Sequence, residues 1–411
     1  MNINPIILSV PLFFFLMGLE LLIERWQKLN LYRLNDSITN INLGTSEQIV
    51  HLLFKVVLSV SLYEWVFHNF AFFKIEVTWS NYIILFIMYD LCYYWAHRMS
   101  HEINLFWGAH VVHHQSEEYN LSVALRQSWF QFIFTAPFFI PLALIGFDTQ
   151  MLVWVGTINL TYQFWVHTEL VHKMGFLELF MNTPSHHRVH HGRNEKYIDK
   201  NHAGVFIVWD RMFGTFQLEE EKPVYGITTP IASWNPIRAN FIHYFQMNQQ
   251  LKQTAGIWNK IRVMFNKPGW RPAELGGKMP IPPVERGFTP KYNTQSPVWV
   301  NRYAFFQYLL ITIGALALFI GESKMDYWGK IIGSSLVVWA VLHNGAIFES
   351  RRWVFGLEFF RLFVTLGWLV FYLKDTANVL AASIIAVVIL LICIAWLWQI
   401  RAVFGRVQAA S

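Results

Sequence analysis

Apolar and polar positions are segregated along this chain in long blocks, not in the short periods of a soluble amphipathic fold. Nine blocks start near residues 5, 50, 80, 128, 150, 303, 327, 353 and 378, and each is of the order of the 20 mostly apolar residues that a membrane span needs. The pattern predicts an all-α, multi-pass membrane helical bundle of about nine spans. The fourth block contains Pro137 and Pro141, which take donors out of a helix and predict a kink. Only the turn Gly146–Thr149 separates it from the fifth, so the two read as a helical hairpin. The first block lacks a basic leading region and a small-residue cleavage site, and its positive charges follow it. It reads as a span and not as a signal peptide.

Composition supports this picture. Apolar residues make up 54% of the 411 positions and charged residues 14%, where a soluble protein carries about 25% charged. A disordered scaffold is excluded, and so is a secreted disulfide framework, since the two cysteines, Cys92 and Cys393, lie in apolar runs. The net charge of +6 reports basic cytoplasmic loops and not a nucleic-acid partner. Arg25, Lys28 and Arg33 follow the first span, Arg98 the third, Arg351 and Arg352 the seventh, and Arg401 and Arg406 the ninth. The opposite connections are poor in Lys and Arg. This places the N-terminus outside and the C-terminus in the cytoplasm, in a bacterial inner membrane or the endoplasmic reticulum.

Three regions follow. Residues 1–216 hold five spans and the histidine clusters. Residues 217–300 hold ten of the 15 prolines, ten Lys/Arg against five Asp/Glu, and no span. This is a basic segment suited to anionic headgroups, with an interfacial amphipathic helix over 249–266. Residues 301–411 form a four-helix membrane bundle.

Of the 16 histidines, twelve lie between His97 and His202. They form three clusters: His97 and His101; His110, His113 and His114; and His186, His187, His190 and His191. Spacings of three and four put side chains on one helical face, so His110 faces both His113 and His114, and His187 faces both His190 and His191. His167, at the cytoplasmic end of the fifth span, points to the same layer. Imidazole suits Fe, Zn, Cu and Ni. Eight or nine imidazoles exceed one ion's needs, and two ions with four or five ligands each fit the count. Such a pair, with open positions, can bind and split dioxygen or activate water. His186 is an open case. The lone Glu169-x-x-His172 string is a weak sign of a carboxylate di-iron site. His51, His68, His202, His243 and His343 read as capping or interfacial residues. Asp90 precedes His97 by two helical turns on one face, and an acid within a span needs a partner. Either it orients a ligand imidazole, as a member of the catalytic set, or it makes a helix-packing hydrogen bond. Asp210 could likewise support a ligand imidazole, or pair with Arg188 or Arg211. Asn120 and Arg126 could meet a substrate headgroup, or cap the fourth helix.

The order His-x3-His, His-x2-His-His, His-x2-His-His beside apolar spans resembles the membrane fatty acid hydroxylase and sterol desaturase superfamily. The strings joining the clusters, over residues 89–128, 162–169, 182–194 and 198–216, resemble its alkylglycerol monooxygenase branch. That resemblance implies cleavage of the ether bond of an alkylglycerol lipid. The reaction hydroxylates the carbon next to the ether oxygen, with O2, two iron ions and tetrahydrobiopterin, and gives a fatty aldehyde and glycerol. The family's ligands fall on His97, His101, His110, His113, His114, His187, His190 and His191, with His167 as a ninth, and its HTE glutamate falls on Glu169, which would line the site. An alternative within the superfamily is another lipid or sterol hydroxylase or desaturase fed by an electron-donor protein that docks on the basic segment. A metal transporter is disfavoured, because the clusters form one layer with no polar ladder continuing across the membrane.

Overall fold

The computed structural model describes residues 5–55, 61–284, 291–374 and 376–404. Among them are sixteen α-helices, no strand, and one isolated bridge between Gly192 and Tyr225. In chain order the helices are α1 Pro5–Gln27, α2 Leu34–Lys55, α3 Ser61–Phe70, α4 Trp79–Glu102, α5 Asn104–His114, α6 Gln131–Thr135, α7 Ile140–Ile145 and α8 Thr149–Trp165. Then come α9 Pro184–His190, α10 Val208–Phe213, α11 Pro236–Gln253, α12 Ile257–Phe265, α13 Val298–Gly321, α14 Tyr327–Phe348, α15 Val354–Tyr372 and α16 Val379–Ile400. The chain forms two compact units. One comprises Met1–Gly44, Phe54–Ile231 and Ala239–Lys291; the other comprises Thr45–Leu53, Ala232–Arg238 and Tyr292–Ser411.

The first unit is organised around α4. Its N-terminus is capped by Thr78, whose hydroxyl accepts the Asn81 N–H at 3.3 Å, and its flanks pack on α5 and α8. The apolar core joins Tyr63, Val66, Leu85, Leu142, Ala143, Phe147, Met151 and Val155. The kink expected at Pro137 and Pro141 is present as a break: α6 gives way to a 3-10 turn over Ala136–Phe139 before α7 begins. Gly146 then ends α7 at φ +112°, where a Cβ would meet the Phe73 carbonyl oxygen at 1.9 Å, so this reversal requires glycine. Asp148 caps α8 by accepting the Met151 N–H at 2.7 Å. The hairpin arms are shorter than a full span, since the 17 residues of α8 rise only about 25 Å. Part of the expected second span, residues 56–60, lies outside the described residues. The stretch 249–266 is not one helix: Gly256, at φ +75°, separates the end of α11 from α12. α12 buries Val263 on α5 and leaves Ile257, Trp258 and Phe265 exposed.

In the second unit, α13 to α16 pack in sequence as a bundle that α16 closes against α13. Among the described residues, four helical stretches are long and apolar enough to cross a membrane, and all belong here: Val298–Lys324, Tyr327–Phe348, Val354–Tyr372 and Val379–Val403. α16 exposes Ile384, Ile385, Val387, Val388, Leu391 and Ile392. In water such a face would be costly, and against lipid tails it is not. Glu358 and Arg361 are buried and closed into a network. One Glu358 oxygen accepts from Tyr303 at 3.0 Å and Arg361 Nη2 at 2.6 Å, and the other accepts from Arg361 Nε at 2.7 Å and His343 Nδ1 at 2.9 Å.

Candidate metal centre

Helix ends deliver the imidazoles. α4 finishes with His97 and His101, α5 with His110, His113 and His114, and α9 with His187 and His190, capped by His191; His167 lies just beyond α8. All nine are buried. Their nitrogens converge in two groups, each with every ligand atom within 4.8 Å of the others: His97, His101, His110, His114 and His190 in the first, and His113, His167, His187 and His191 in the second. Helical geometry explains the partition. Residues four apart lie nearly on one line, so the pairs 97/101 and 110/114 serve the first group and 187/191 the second. His113 and His190 are each rotated by about 100° from the next residue and serve the opposite group.

The protonation pattern favours a cation. His97 Nδ1–H donates to the His202 carbonyl at 2.8 Å, His113 Nδ1–H to the Arg126 carbonyl at 2.9 Å, His167 Nδ1–H to the Gln163 carbonyl at 2.8 Å and His190 Nδ1–H to the Lys200 carbonyl at 2.9 Å. A carbonyl can only accept, so each Nδ1 carries a proton, and burial disfavours a second one, which leaves the Nε2 lone pairs aimed inward. His113 Nε2 and His167 Nε2 then face each other at 3.2 Å with no proton between them. This arrangement is repulsive unless a positive charge occupies the space. His101, His190 and His191 also bury Nε2 atoms with no hydrogen-bond partner. Burial and the neighbouring imidazoles hold His110, His114, His187, His190 and His191 well below the usual histidine range. Burial lowers His113 to about 4. The residues present therefore fit two transition-metal ions bound by neutral nitrogen donors, five on one side and four on the other.

Other expected site residues hold this frame without reaching into it. Asp90 touches no grouped imidazole. Its carboxylate accepts from Asn159 Nδ2 at 2.8 Å, from the Val205 and Phe206 N–H groups at 2.8 and 2.9 Å, and from Trp209 Nε1 at 3.0 Å. The packing alternative is the one observed. Asp210 pairs with neither Arg188 nor Arg211; it accepts the His202 and Ala203 N–H groups, both at 2.8 Å, and the Thr215 hydroxyl at 2.6 Å. Burial pushes its carboxyl up to about 6. The two aspartates thus clamp residues 202–206 from either side, and that segment supplies the carbonyl that orients His97.

Arg126 is buried among internal acceptors: the Val112 carbonyl at 2.7 Å, Asn40 Oδ1 at 3.0 Å and Gln115 Oε1 at 2.8 Å. Asn120 donates to the Leu31 carbonyl at 2.8 Å and accepts from the Ser122 N–H and hydroxyl at 3.1 and 2.6 Å. Both polar heads are buried and engaged inside the fold. Arg188 pairs with Glu219 through two bonds of 2.8 and 2.7 Å.

Glu169 lies beside the second group. It accepts the Tyr225 hydroxyl at 2.6 Å and pairs with Lys222 at 2.9 Å, while the Tyr225 ring stacks on Tyr119 at 4.7 Å, next to His191. His186 stands outside both groups, its ring against Phe216, although it lies four residues from His190 on the same helix. His172 is exposed. His68 contacts Glu64 and His343 contacts Glu358, while His243 Nε2 donates to the Asn104 carbonyl at 3.1 Å. Spacing gave no sign of the orienting carbonyls of Gln163, Lys200 and His202, because a backbone acceptor has no residue signature. Asn159 and Gln163, four apart in an apolar helix and joined at 2.6 Å, were the detectable trace.

A family profile described as fatty acid hydroxylase matches residues 82–215, the stretch holding every grouped histidine. The decisive likeness extends over nearly the whole chain: human alkylglycerol monooxygenase is 36% identical over 96% of this chain and 88% of its own. The chain belongs to the alkylglycerol monooxygenase family. The zebrafish (Danio rerio) alkylglycerol monooxygenase is 38% identical over 86% of this chain and 79% of its own. An ornithine lipid hydroxylase of Rhizobium tropici is 30% identical over 30% of this chain and 38% of its own. No solved structure matches the chain.

Proposed function

We propose that this protein is a membrane monooxygenase that cleaves the ether bond of alkylglycerol lipids, hydroxylating the carbon next to the ether oxygen to a hemiacetal that collapses to fatty aldehyde and glycerol. The observation that carries the reading is the pair of buried all-imidazole groups in a chain of this family. Two iron ions would be held there, the first by His97, His101, His110, His114 and His190 and the second by His113, His167, His187 and His191. Such ions supply the redox capacity for breaking an unactivated C–H bond, which zinc lacks, with tetrahydrobiopterin as the diffusible source of electrons. The chain's own residues bind and orient. Carbonyls fix the imidazole tautomers, Asp90 and Asp210 hold the segment behind His97, and Glu169 with Tyr225 borders the second group.

The proposed setting is a nine-span chain with the histidine layer and C-terminus in the cytoplasm, as the Lys and Arg placement supports. Residues 1–216 carry the chemistry, the basic 217–300 segment faces headgroups, and 301–411 form the membrane bundle. The likeness to a lipid hydroxylase from Rhizobium tropici supports a second reading, another lipid or sterol hydroxylase or desaturase, for which we propose a protein electron donor.

Iron-loaded membranes given a 1-O-alkylglycerol and O2, with and without tetrahydrobiopterin, separate the two. Pterin-dependent fatty aldehyde that disappears in His187→Ala is expected. No aldehyde from protein shown to hold two iron ions would overturn the ether-lipid assignment and favour the second reading.

A further inference from the structure

The His202 imidazole is unexplained by the arrangement described so far. It is fully buried, and among the described residues neither ring nitrogen makes a well-formed hydrogen bond; the backbone polar group the ring approaches is that of Asp199. A neutral imidazole must carry a proton on one nitrogen and a lone pair on the other, so with the N–H turned to the Asp199 backbone the lone pair is left unsatisfied. Each such buried group costs on the order of 1–3 kcal/mol. The ring has not arrived there by slack in the chain. The residue's N–H donates to Asp210 at 2.8 Å and its carbonyl accepts from His97 Nδ1 at 2.8 Å, so the backbone is pinned at both ends. Its surroundings are specific: the ring centroid lies 5.0 Å from that of His101 and 5.7 Å from those of His97 and His190. These separations match those within the first group, such as 5.3 Å between His97 and His101, although His202 stands outside the five residues whose ligand atoms all lie within 4.8 Å of one another. The remaining ring neighbour, Tyr94 at 6.3 Å, has its hydroxyl engaged with Thr215 at 2.9 Å and does not serve His202.

We propose that His202 is a further imidazole of the first ion's site, facing that ion on the side bounded by His97, His101 and His190, where its nitrogen partners the ion or a water bound to it. The inference rests on the two-ion reading of the site. It makes residue 202 part of what sets how tightly the first ion is held, and it assigns the unsatisfied lone pair a purpose that packing alone does not.

The test is metal retention by the purified full-length protein in detergent, loaded with Co2+, whose visible absorption reports its coordination. Wild type, His202→Phe and His202→Asn are challenged with increasing chelator, and bound metal per chain is counted. Two ions in wild type, one of them lost from His202→Phe at a chelator concentration roughly 10- to 100-fold lower with an altered absorption band, is the expected result. His202→Asn, which retains polar atoms, should fall between them. It also serves if His202→Phe does not fold. Equal retention and identical spectra in wild type and both variants would overturn the assignment while leaving the two-ion site intact. Failure of wild type to bind Co2+ at all would overturn the two-ion reading, and this inference with it.

Discussion

Arg126 shows how a side chain can be visible in a sequence while its role is not. A basic residue beside a histidine cluster invites a headgroup, but the structure spends its guanidinium on a carbonyl and two amide oxygens and uses its own carbonyl to orient His113. Its guanidinium stays charged, although burial lowers it to about 10. Arg126→Met would leave those acceptors unpaired, and we expect a loss of roughly 2–5 kcal/mol, read as a lower unfolding temperature in detergent. If Arg126 met the substrate, the variant would instead unfold normally and show a raised KM. Nine histidines were legible because covalent spacing and helical pitch determine where they can point. Asn120 and Arg126 were not, because a polar residue does not announce which buried acceptor it will find.

At the scale of elements, spacing placed each cluster on one helical face and two ions fitted the count, but it did not say which imidazole serves which ion. Consecutive histidines point about 100° apart, and the fold uses that divergence to feed two groups from one helix end. The segment over residues 202–206 is the other lesson, since its work is done by backbone atoms between two aspartates. Gly204 allows this close approach: a Cβ there would meet Asp90 Oδ1 at 2.7 Å and Tyr93 Cδ1 at 2.9 Å. Gly204→Ala is therefore expected to destabilise by about 1–3 kcal/mol and to release metal more readily, both measurable by thermal unfolding with and without added Co2+. Unchanged unfolding and retention would mean that the segment is not a support for the centre. The proline break between α6 and α7 was legible, whereas the break at Gly256 was not, because the apolar periodicity runs on across it.

At the scale of the whole molecule, hydropathy alone read the C-terminal bundle well, because its four helices have long, nearly uncharged faces to present to lipid. The first unit is harder to read, since α2 and α4 bury Asp36, Asn40 and Asp90 among apolar residues. Inside the bundle, Glu358→Ala would strand the Arg361 charge, at an expected cost of about 3–5 kcal/mol. Glu358→Met with Arg361→Met should recover much of that loss, as followed by thermal unfolding. A double variant no better than the single one would show that the charge itself is not at issue.

The two imidazole groups are unequal, and that inequality has a consequence for how the protein would fill. The first has five donors and Asp199 lying 3.8 Å from His101, whereas among the described residues the second has four donors and no carboxylate within salt-bridge distance. More donors and an adjacent negative charge favour both occupancy and the higher charge state of an ion. A titration of the metal-free protein with Co2+ should then rise in two steps, with a half-loaded species in between. Loading and oxidation would proceed in a fixed order, one pole of the centre before the other.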